Sequence, residues 1–380
     1  MEKKGKKIRI LFLTINLENG GAERVLVNLA NELVKRQEYI IEIRCLKKTG
    51  PHIERLSTKV KCTEIISSKL LNRGLNYLYL LPHKWIYRKI IGPDEYDIII
   101  PYLHGVLTRI VAYAPRSQNT VAFLHANMEN SPFIKQIGSK SKVIRVFENY
   151  NRIVAVSQDV KESFIKVSGI QPNRISVIYN TFDVNEIRRL SAEPLVYTPN
   201  KGIINLCSVG KLESVKGYER LIRVFELIKE KGIKSHLYIV GEGNQHALLQ
   251  NMIDSKNLVN DVTLVGYKKN PYNYMWNCDL FVCSSYSEGF SSVVAESIIL
   301  GKPVVTTDCA GMKEILGANN EYGVICPNNE EGLFNGLYHM ISDIEILDYY
   351  RKKAIERSSF FEPETTVNSF LSLLDEVVDR

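Results

Sequence analysis

Residues 279–301 read DLFVCSSYSEGFSSVVAESIILG and contain the most informative pattern in the chain. The apolar run 279–283 predicts a buried strand. The apolar residues after Ser292 recur at helical spacing and predict a helix that ends at Gly301. A polar loop with Glu288 lies between them. This order is typical of a parallel α/β sheet, in which ligands bind at the carboxyl ends of the strands.

The same loop has the properties of a site for a ligand that carries both phosphate and hydroxyl groups. The start of a helix offers free backbone N–H groups and the positive end of the helix dipole. Glu288 precedes the helix and Glu296 lies inside it, so the two carboxylates could hold two hydroxyl-rich parts of one ligand. The alternative is that Glu288 only complements the dipole and Glu296 is a solvated surface residue. This stretch alone does not decide between the two interpretations.

Length and composition predict a globular protein with two domains. The chain has 380 residues, of which 45% are hydrophobic and 24% are charged, so it can form two cores. No apolar run reaches the roughly 18 residues of a membrane-spanning helix, and the short apolar run near the N-terminus lacks the cleavage site of a signal peptide. The 7 cysteines include no C-x-x-C pair, and we expect reduced core thiols in a cytoplasmic protein.

Charge is distributed unevenly along the chain. Residues 1–195 carry a net charge of +13 and the remainder −6. A basic first half predicts an anionic surface or ligand on that side of the protein. The chain contains no nucleic-acid-binding motif, so we expect no nucleic-acid partner.

Apolar strands alternate with amphipathic helices along the whole chain, as in doubly wound α/β domains. Strands are predicted near 8–15, 39–45, 60–66, 97–101, 119–124, 152–156, 174–179, 203–209, 235–240, 261–265, 279–283, 302–306 and 322–325. Helices are predicted near 21–36, 104–114, 139–150, 158–168, 216–232, 244–256, 291–300, 330–341, 344–357 and 363–379. Residues 180–201 are polar and contain two prolines, which predicts an irregular linker.

Other strand ends in this scheme also carry glycine turns. Gly20 and Gly21 follow the first strand, and paired glycines let backbone N–H groups approach an anion closely. Lys211 and Lys216 follow the first strand of the second half and could neutralise a diphosphate. A plain tight turn and two surface lysines are the alternatives. The absence of G-x-G-x-x-G argues against a dehydrogenase.

Taken together, these motifs resemble the family-4 retaining glycosyltransferases of the GT-B fold. The resemblance rests on GGAER at 20–24, GKL at 210–212 with KG at 216–217, GEG at 241–243, and the two glutamates Glu288 and Glu296 separated by seven residues. It implies two Rossmann-like domains that face a cleft, 1–190 for the acceptor and 200–362 for the nucleotide-sugar. It also implies that residues 363–380 cross back to the first domain.

The resemblance assigns the donor site residue by residue. Glu296 is similar to the carboxylate that binds the ribose hydroxyls, and Glu288 to the one that faces the donor sugar. Lys216 matches the diphosphate-binding lysine of the family, and Glu288 and Lys216 are thereby implied to be catalytic. The remaining donor-binding residues implied are Lys211, which stands where the family usually has arginine, Gly289, Phe290 and Ser291 in the loop, and Gly20 and Gly21 in the first domain.

Two further residues of the first half enter through the same resemblance. His125 ends a predicted strand and matches the active-site histidine near the donor sugar, a catalytic position. Apart from the resemblance, a single histidine at a strand end is more often structural, although it can serve as a proton or hydrogen-bond partner. Arg24 is a candidate for an acceptor phosphate, with an arginine on a helix face as the alternative.

The residues assigned by the resemblance imply a reaction that needs no metal. In retention, the acceptor hydroxyl attacks from the side of the leaving group, whose diphosphate takes the proton while lysines and helix N-termini stabilise the charge. The chain has no D-x-D metal motif, so we expect neither a metal nor another cofactor. The expected donor is a UDP-sugar and the expected acceptor a glycan, lipid-linked, in bacterial surface polysaccharide or capsule assembly.

Residues 69–91 bear on membrane contact. Five basic residues alternate there with aromatic residues and leucines, which suits docking on an anionic membrane at the inner face of the plasma membrane. A buried helix with a basic outer face is the alternative.

Two other functions stay open from the sequence. An inverting GT-B enzyme or a sugar-nucleotide epimerase would not need the spacing of Glu288 and Glu296. A non-catalytic nucleotide-sugar or glycan-binding module would bind UDP without turnover, and the presence of both His125 and Glu288 argues against it.

Overall fold

A computed structural model describes residues 7–18, 20–65, 83–92, 94–129, 131–195 and 202–378. The chain divides into two compact units. The first unit runs as far as Phe182 and resumes at Pro363, and the second runs from Asp183 to Glu362. Each unit contains one parallel β-sheet with helices packed against it.

The first unit contains a 7-stranded sheet. Its strands are β1 (Ile8–Thr14), β2 (Tyr39–Cys45), β3 (Lys61–Glu64), β4 (Ile98–Pro101), β5 (Asn119–Leu124), β6 (Arg152–Ala155) and β7 (Ile175–Val177). They lie in the order β3-β2-β1-β4-β5-β6-β7. The strand order reverses beside β1, so the carboxyl ends of β1 and β4 flank the switch point at which doubly wound sheets bind ligands.

The helices of the first unit connect these parallel strands. They are α1 (Gly21–Leu33), α2 (His83–Ile91), α3 (Val106–Val111), α4 (Pro132–Ile137), α5 (Lys140–Phe147) and α6 (Gln158–Ser168). A parallel connection must cross from one end of the sheet to the other, which a helix does while covering the sheet face.

The second unit contains a 6-stranded sheet. Its strands are β8 (Ile204–Val209), β9 (Ser235–Val240), β10 (Val262–Gly266), β11 (Leu280–Cys283), β12 (Val304–Thr307) and β13 (Val324–Cys326), in the order β10-β9-β8-β11-β12-β13. Its helices are α7 (Val184–Ser191), α8 (Tyr218–Glu230), α9 (His246–Ser255), α10 (Tyr272–Asn277), α11 (Ser292–Ile299), α12 (Met312–Leu316), α13 (Glu330–Ile341) and α14 (Ile344–Ser358). The β11–α11 connection contains Glu288, and Glu296 lies in the helix that follows it.

The last helix, α15 (Pro363–Val378), packs into the core of the first unit. Phe370 and Leu374 are fully buried there with Phe12 of β1. The ring centroids of Phe370 and Phe12 lie 6.3 Å apart. The apolar positions of α15 recur at helical spacing and therefore form one face that the first unit buries.

Every predicted strand forms, with its ends displaced by two residues at most. The linker prediction for 180–201 is wrong in part, because Val184–Ser191 forms helix α7. Val184, Ile187 and Ser191 are buried at helical spacing and Asp183 caps the helix, a pattern hidden by the polar composition of the segment. Helix α7 packs against α10 in the second unit, so residues 183–190 group with that unit and not with the first domain predicted over 1–190.

The segment 69–91 is described only in part. Residues 69–82 lie outside the described residues, and His83–Ile91 forms α2. Ile86, Tyr87 and Ile90 of α2 are buried, whereas Trp85 is 56% exposed. The described part therefore has a buried apolar face and an outer face with Lys84, Trp85, Arg88 and Lys89.

Candidate active site

The β11–α11 loop of the second unit brings two of the predicted residues into direct contact. Lys216 Nζ lies 2.7 Å from Glu288 Oε1, with both side chains largely buried. Ser285 Oγ donates to the same carboxylate oxygen at 2.6 Å. Glu288 is thus fixed by a cation and a hydroxyl in addition to its position before the helix.

The turn that carries Lys216 is locked against the loop through its backbone. Ser284 Oγ donates to the Lys216 carbonyl at 2.9 Å. Gly217 has a φ of +66°, and a Cβ there would lie 2.2 Å from the Ser284 carbonyl oxygen. Only glycine combines this left-handed conformation with such a close approach. Gly217 therefore sets the position of Lys216 relative to Glu288.

Electrostatics keep Lys216 protonated. Burial is the largest single influence and lowers its pKa, but the Glu288 carboxylate, with contributions from Cys283 and Glu213, raises the pKa above the ordinary value. The lysine is therefore a permanent cation near neutral pH. A fixed cation beside a carboxylate can bind an anionic group and a hydroxyl group of one ligand.

Glu296 lies on α11 and is 4% exposed. It accepts a hydrogen bond from Tyr272 OH at 3.1 Å, which orients the carboxylate from α10. This burial excludes the interpretation of Glu296 as a solvated surface residue. No sequence motif indicated Tyr272.

The Ser291 hydroxyl at the start of α11 is a hydrogen-bond donor that is not used within the described residues. Ser291 is the N-cap residue of α11 but makes no side-chain capping bond. Its hydroxyl is buried and has no partner within the part of the chain that the structure describes. Together with the N–H groups of the first helical turn, this hydroxyl suits a phosphate group. Phe290 is buried beside it.

Gly289 is the remaining predicted residue of the loop and lies close to another backbone segment. A Cβ on Gly311, whose φ is +79°, would lie 2.8 Å from the Gly289 carbonyl oxygen. The turn before α12 therefore packs directly on the loop.

Lys211 differs from Lys216. It is exposed and belongs to no ion pair between described residues. It follows Gly210, where a Cβ would lie 2.8 Å from Tyr218 OH and 3.8 Å from the Lys216 side chain. The structure thus joins Lys216 to Glu288 and leaves Lys211 as a solvated cation on the same turn.

In the first unit, Gly20 and Gly21 lie at the β1–α1 turn as predicted, and Gly20 is the N-cap residue of α1. The Glu23 carboxylate lies over Gly20. His52 forms a hydrogen bond with the Gly20 backbone, and burial together with Arg24 and Arg55 lowers its pKa to about 4. Arg24 is therefore close to this turn, and His52 is a neighbour that the sequence did not indicate.

His125 lies directly after β5, with its Nε2 2.8 Å from the Tyr102 carbonyl oxygen. A carbonyl only accepts, so Nε2 carries the proton and Nδ1 is a hydrogen-bond acceptor. Burial and the neighbouring His104 lower the pKa of His125 to about 3. The ring is therefore neutral near pH 7 and accepts, rather than donates, at Nδ1.

His104 is a second histidine at this edge that sequence reasoning missed. Its Nδ1 accepts a hydrogen bond from the His125 backbone N–H at 3.3 Å. Burial lowers its pKa to about 4. A usable signal existed, because His104 follows strand β4 as His125 follows β5, and both strands end at the same edge of the sheet.

The second unit likewise contains residues around the loop that no sequence motif indicated. Arg220 is 1% exposed and donates to the carbonyls of Ser284 and Ser285 at 2.5 and 3.2 Å. Thr307 Oγ1 donates to the Ser285 carbonyl at 2.6 Å. Asn328 follows β13 at the same sheet edge. Thr307 ends β12 and Asn328 follows β13, so their positions at strand ends were the signal available in the sequence.

Among the described residues, no group of three or more histidine, cysteine, aspartate or glutamate side chains is arranged to hold a metal ion. Helices of the described chain are also too short or too polar to cross a membrane.

Sequence comparison defines the class of protein. The model of glycosyl transferases group 1 matches residues 196–357, and the model of glycosyltransferase family 4 matches residues 19–186. A relative from Campylobacter jejuni is 31% identical over 357 residues, covering 91% of this chain and 94% of the relative. That relative is N-acetylgalactosamine-N,N'-diacetylbacillosaminyl-diphospho-undecaprenol 4-alpha-N-acetylgalactosaminyltransferase.

Solved structures share the fold. Anabaena HepE in complex with UDP-glucose superposes with a TM-score of 0.75 at 21% identity, covering 97% of this chain and 100% of HepE. Sucrose-phosphate synthase from Thermosynechococcus elongatus gives a TM-score of 0.78 at 17% identity, covering 97% and 99%. These similarities establish the GT-B fold, with its two Rossmann-like domains. The chain belongs to glycosyltransferase family 4.

Proposed function

We propose that this protein is a retaining, metal-independent glycosyltransferase that moves a sugar from a UDP-sugar to a lipid-linked glycan in the assembly of a bacterial surface polysaccharide. The contact between Lys216 and Glu288 carries the proposal, because a cation for a diphosphate lies 2.7 Å from a carboxylate that can bind sugar hydroxyls. The Campylobacter relative supports it, since its name specifies a diphospho-undecaprenol acceptor and an alpha linkage.

The donor would bind along the carboxyl edge of the second sheet. Glu296, held by Tyr272, takes the ribose hydroxyls, and the start of α11 with Ser291 takes the diphosphate. Lys216 and Lys211 add positive charge, and Glu288 with the Gly289–Phe290 backbone holds the sugar. The HepE structures with UDP and with UDP-glucose support a UDP-sugar as the donor.

The reaction then needs charge stabilisation more than proton transfer from the protein. The acceptor hydroxyl attacks from the side of the departing diphosphate, and a diphosphate oxygen takes its proton. Lys216 stabilises the developing negative charge, so a metal is not required for that purpose. His125 acts through Nδ1 as an acceptor for a sugar hydroxyl, because its Nε2–H donates to the Tyr102 carbonyl. Gly20 and Gly21 at the start of α1 offer further N–H groups to the donor phosphate, and Arg24 offers its charge to the acceptor.

The donor part of this proposal is tested with the purified protein and a panel of UDP-, GDP- and dTDP-sugars in the presence of EDTA. One UDP-sugar should raise the melting temperature and be slowly hydrolysed. Glu296→Ala should abolish the stabilisation by UDP. Glu288→Gln should keep UDP binding but lose the additional affinity that the sugar provides. Strict dependence on a divalent metal, or binding of no nucleotide-sugar, would contradict the roles given to Lys216, Glu288 and Glu296.

The same experiment separates the alternatives once an acceptor is supplied. An inverted anomeric configuration in the product would assign an inverting enzyme. A C-epimerised nucleotide-sugar would assign an epimerase. Tight UDP binding with no turnover of any donor and acceptor pair would assign a binding module.

Contact with an anionic membrane is proposed for the outer face of α2. Lys89 Nζ lies 5.7 Å from the centre of the exposed Trp85 ring, and Lys84 and Arg88 are exposed on the same helix. A tryptophan among cations suits the boundary between lipid headgroups and acyl chains. The basic N-terminal half, with its net charge of +13, supports the same orientation.

Vesicle sedimentation tests this contact. Replacing Lys84, Arg88 and Lys89 with glutamine should lower partitioning onto phosphatidylglycerol vesicles about 100-fold at low salt, from roughly 1 kcal/mol per basic residue. The control replaces the exposed Lys135, Lys140 and Lys142 of the same unit, which removes equal charge. If both variants lost the same amount of vesicle partitioning, net charge alone would explain the loss, and α2 would be rejected as the docking face.

A further inference from the structure

We propose that Arg220 is a positioning residue of the donor site, and that it acts through Asn328 to fix the β11–α11 loop carrying Glu288. The inference rests on the proposed function for its catalytic meaning. Its structural part depends only on contacts within the second unit.

Arg220 lies on helix α8 and contacts the β11–α11 loop. Its Nη2 donates to the Ser284 carbonyl at 2.5 Å and to the Ser285 carbonyl at 3.2 Å. The guanidinium carbon lies 4.1 Å from the centre of the Tyr286 ring, a cation–π distance. Three consecutive loop residues therefore contact one buried cation. Burial lowers the pKa of Arg220, but a guanidinium remains charged in any protein environment.

Asn328 extends this contact to the other side of the loop. Arg220 Nη1 donates to Asn328 Oδ1 at 2.8 Å. With its oxygen used in this way, the Asn328 amide donates to the Tyr286 carbonyl at 3.1 Å, to the Asp308 carbonyl at 3.2 Å and to Cys309 Sγ at 3.3 Å. Arg220 thus orients Asn328, and Asn328 ties the loop to the segment after β12.

The consequence reaches Glu288 through Ser285. The Ser285 carbonyl accepts from Arg220, from Thr307 Oγ1 and from Cys309 Sγ, the last at 3.1 Å. With its backbone held by three donors, the Ser285 hydroxyl is placed 2.6 Å from Glu288 Oε1. Glu296 lies on α11, outside the residues that Arg220 contacts, and it accepts a hydrogen bond from Tyr272.

Because Glu288 and Glu296 are held by different residues, an Arg220 variant should lose one of the two donor contacts and keep the other. Loss of Arg220 should displace the carboxylate that faces the donor sugar and leave the carboxylate for the ribose in place. The affinity for UDP should therefore change little, whereas the additional affinity of a UDP-sugar over UDP should disappear. A displacement of about 1 Å at the reacting groups costs about 100-fold in rate, which sets the expected fall in kcat.

The test compares Arg220→Met, Arg220→Lys and Asn328→Ala with Arg223→Met as the control. Arg223 lies one turn further along α8 and is partly exposed, paired with Glu330 at 2.6 Å. Calorimetry measures the ratio of the UDP and UDP-sugar dissociation constants. Hydrogen exchange without ligand measures the protection of the amides at 284–290. A lysine cannot reach the Ser284 carbonyl and Asn328 together, so Arg220→Lys should recover little of either property.

We expect faster exchange of the loop amides and a dissociation-constant ratio near one in the Arg220 and Asn328 variants, with Arg223→Met like the parent protein. Asn328→Ala changes an exposed side chain and keeps the variant set usable even if Arg220→Met folds poorly. Parent-like loop protection and an unchanged ratio in Asn328→Ala and Arg220→Lys would overturn the inference. If the parent protein shows no UDP-sugar preference, the proposed function fails, and the exchange result still decides whether Arg220 positions the loop.

Discussion

Single side chains in this protein owe their chemical state to burial. His125 matches a family position in sequence, but its charge could not be predicted, because the sequence does not reveal that its backbone N–H contacts His104 and its ring contacts the Tyr102 carbonyl. The structure makes it a neutral acceptor at Nδ1. Lys216 shows the opposite outcome, since burial lowers its pKa but Glu288, together with Cys283 and Glu213, raises it and the lysine stays charged.

The histidines predict a pH dependence of stability for the first unit. His52, His104 and His125 have pKa values of about 4, 4 and 3 in the folded chain, lowered mainly by burial. The unfolded chain binds protons near pH 6.5, so it takes up more protons than the folded chain between about pH 6.5 and 4. Stability is therefore fully present above pH 6.5 and falls as the pH falls through this window. No acid limb of the activity near pH 6 should arise from His125.

Urea denaturation at pH 7.5 and 5.0 measures this effect, with hydrogen exchange of β1 and β5 peptides reporting the first unit. Each histidine should contribute roughly 1 kcal/mol of lost stability after allowance for solvent screening. His125→Gln should reduce the loss between the two pH values, whereas His339→Gln, at an exposed position of the second unit, should not. An unchanged loss in His125→Gln would mean that His125 titrates normally in the folded chain.

At the scale of elements, the site depends on how closely two strand-to-helix turns approach each other. The sequence predicted both turns of the second unit and their positions on one sheet edge. It did not reveal that the Gly217 Cα lies against the Ser284 carbonyl, because that approach joins residues far apart in the chain. Gly217 thus allows the two turns to approach each other, in addition to its left-handed conformation in its own turn.

Two glycines at the ends of helix α8 allow a matched prediction. Gly217 and Gly232 have φ values of +66° and +77°, so alanine at either position pays the cost of a left-handed conformation, about 1 kcal/mol. A Cβ at Gly232 meets nothing within 4 Å, whereas a Cβ at Gly217 would lie 2.2 Å from the Ser284 carbonyl oxygen. Gly217→Ala should therefore move the turn that carries Lys216 away from the loop.

Thermal unfolding and donor binding distinguish the two variants. Gly232→Ala should lose only the stability that the left-handed conformation costs alanine, and it should bind a UDP-sugar normally. Gly217→Ala should lose more stability and at least about 10-fold in donor affinity, as expected for 1.4 kcal/mol or more of lost interaction. Equal donor affinity in the two variants would show that the approach to Ser284 does not matter for binding.

At the scale of the whole molecule, the end of the chain completes the core of its beginning. Phe370 of α15 is fully buried, with ring centroids 6.3 Å from Phe12 and 6.0 Å from Phe123. A residue near the C-terminus therefore stabilises the unit formed by the first half of the chain.

Phe370→Ala should destabilise the first unit by about 3–5 kcal/mol, the usual cost of removing a buried phenylalanine. Exchange protection should fall in β1 and β5 and persist in β8 and β11. Ser372→Ala on the exposed face of α15 serves as the control and should change neither. Equal loss of protection in both sheets would contradict the assignment of α15 to the first unit alone.

The sequence by itself determined the elements and the class of this protein. Apolar runs of strand length alternate with amphipathic helices, and this local pattern located every strand and most of the longer helices. Glycines, lysines and glutamates at strand ends identified the family-4 motifs, because each such turn consists of residues that are neighbours in the sequence. Helix α7 was missed where only a few apolar residues at helical spacing lie among polar ones.

Only the tertiary structure decided the contacts that hold the site. The ion pair between Lys216 and Glu288, the orientation of Glu296 by Tyr272, and the contacts of Arg220 with Asn328 join residues separated by 72, 24 and 108 positions. Burial also decided that His125 is neutral. The physical reason is that distances between turns, and the loss of solvent around a side chain, arise from the packing of elements distant in the chain, which no local pattern of residues records.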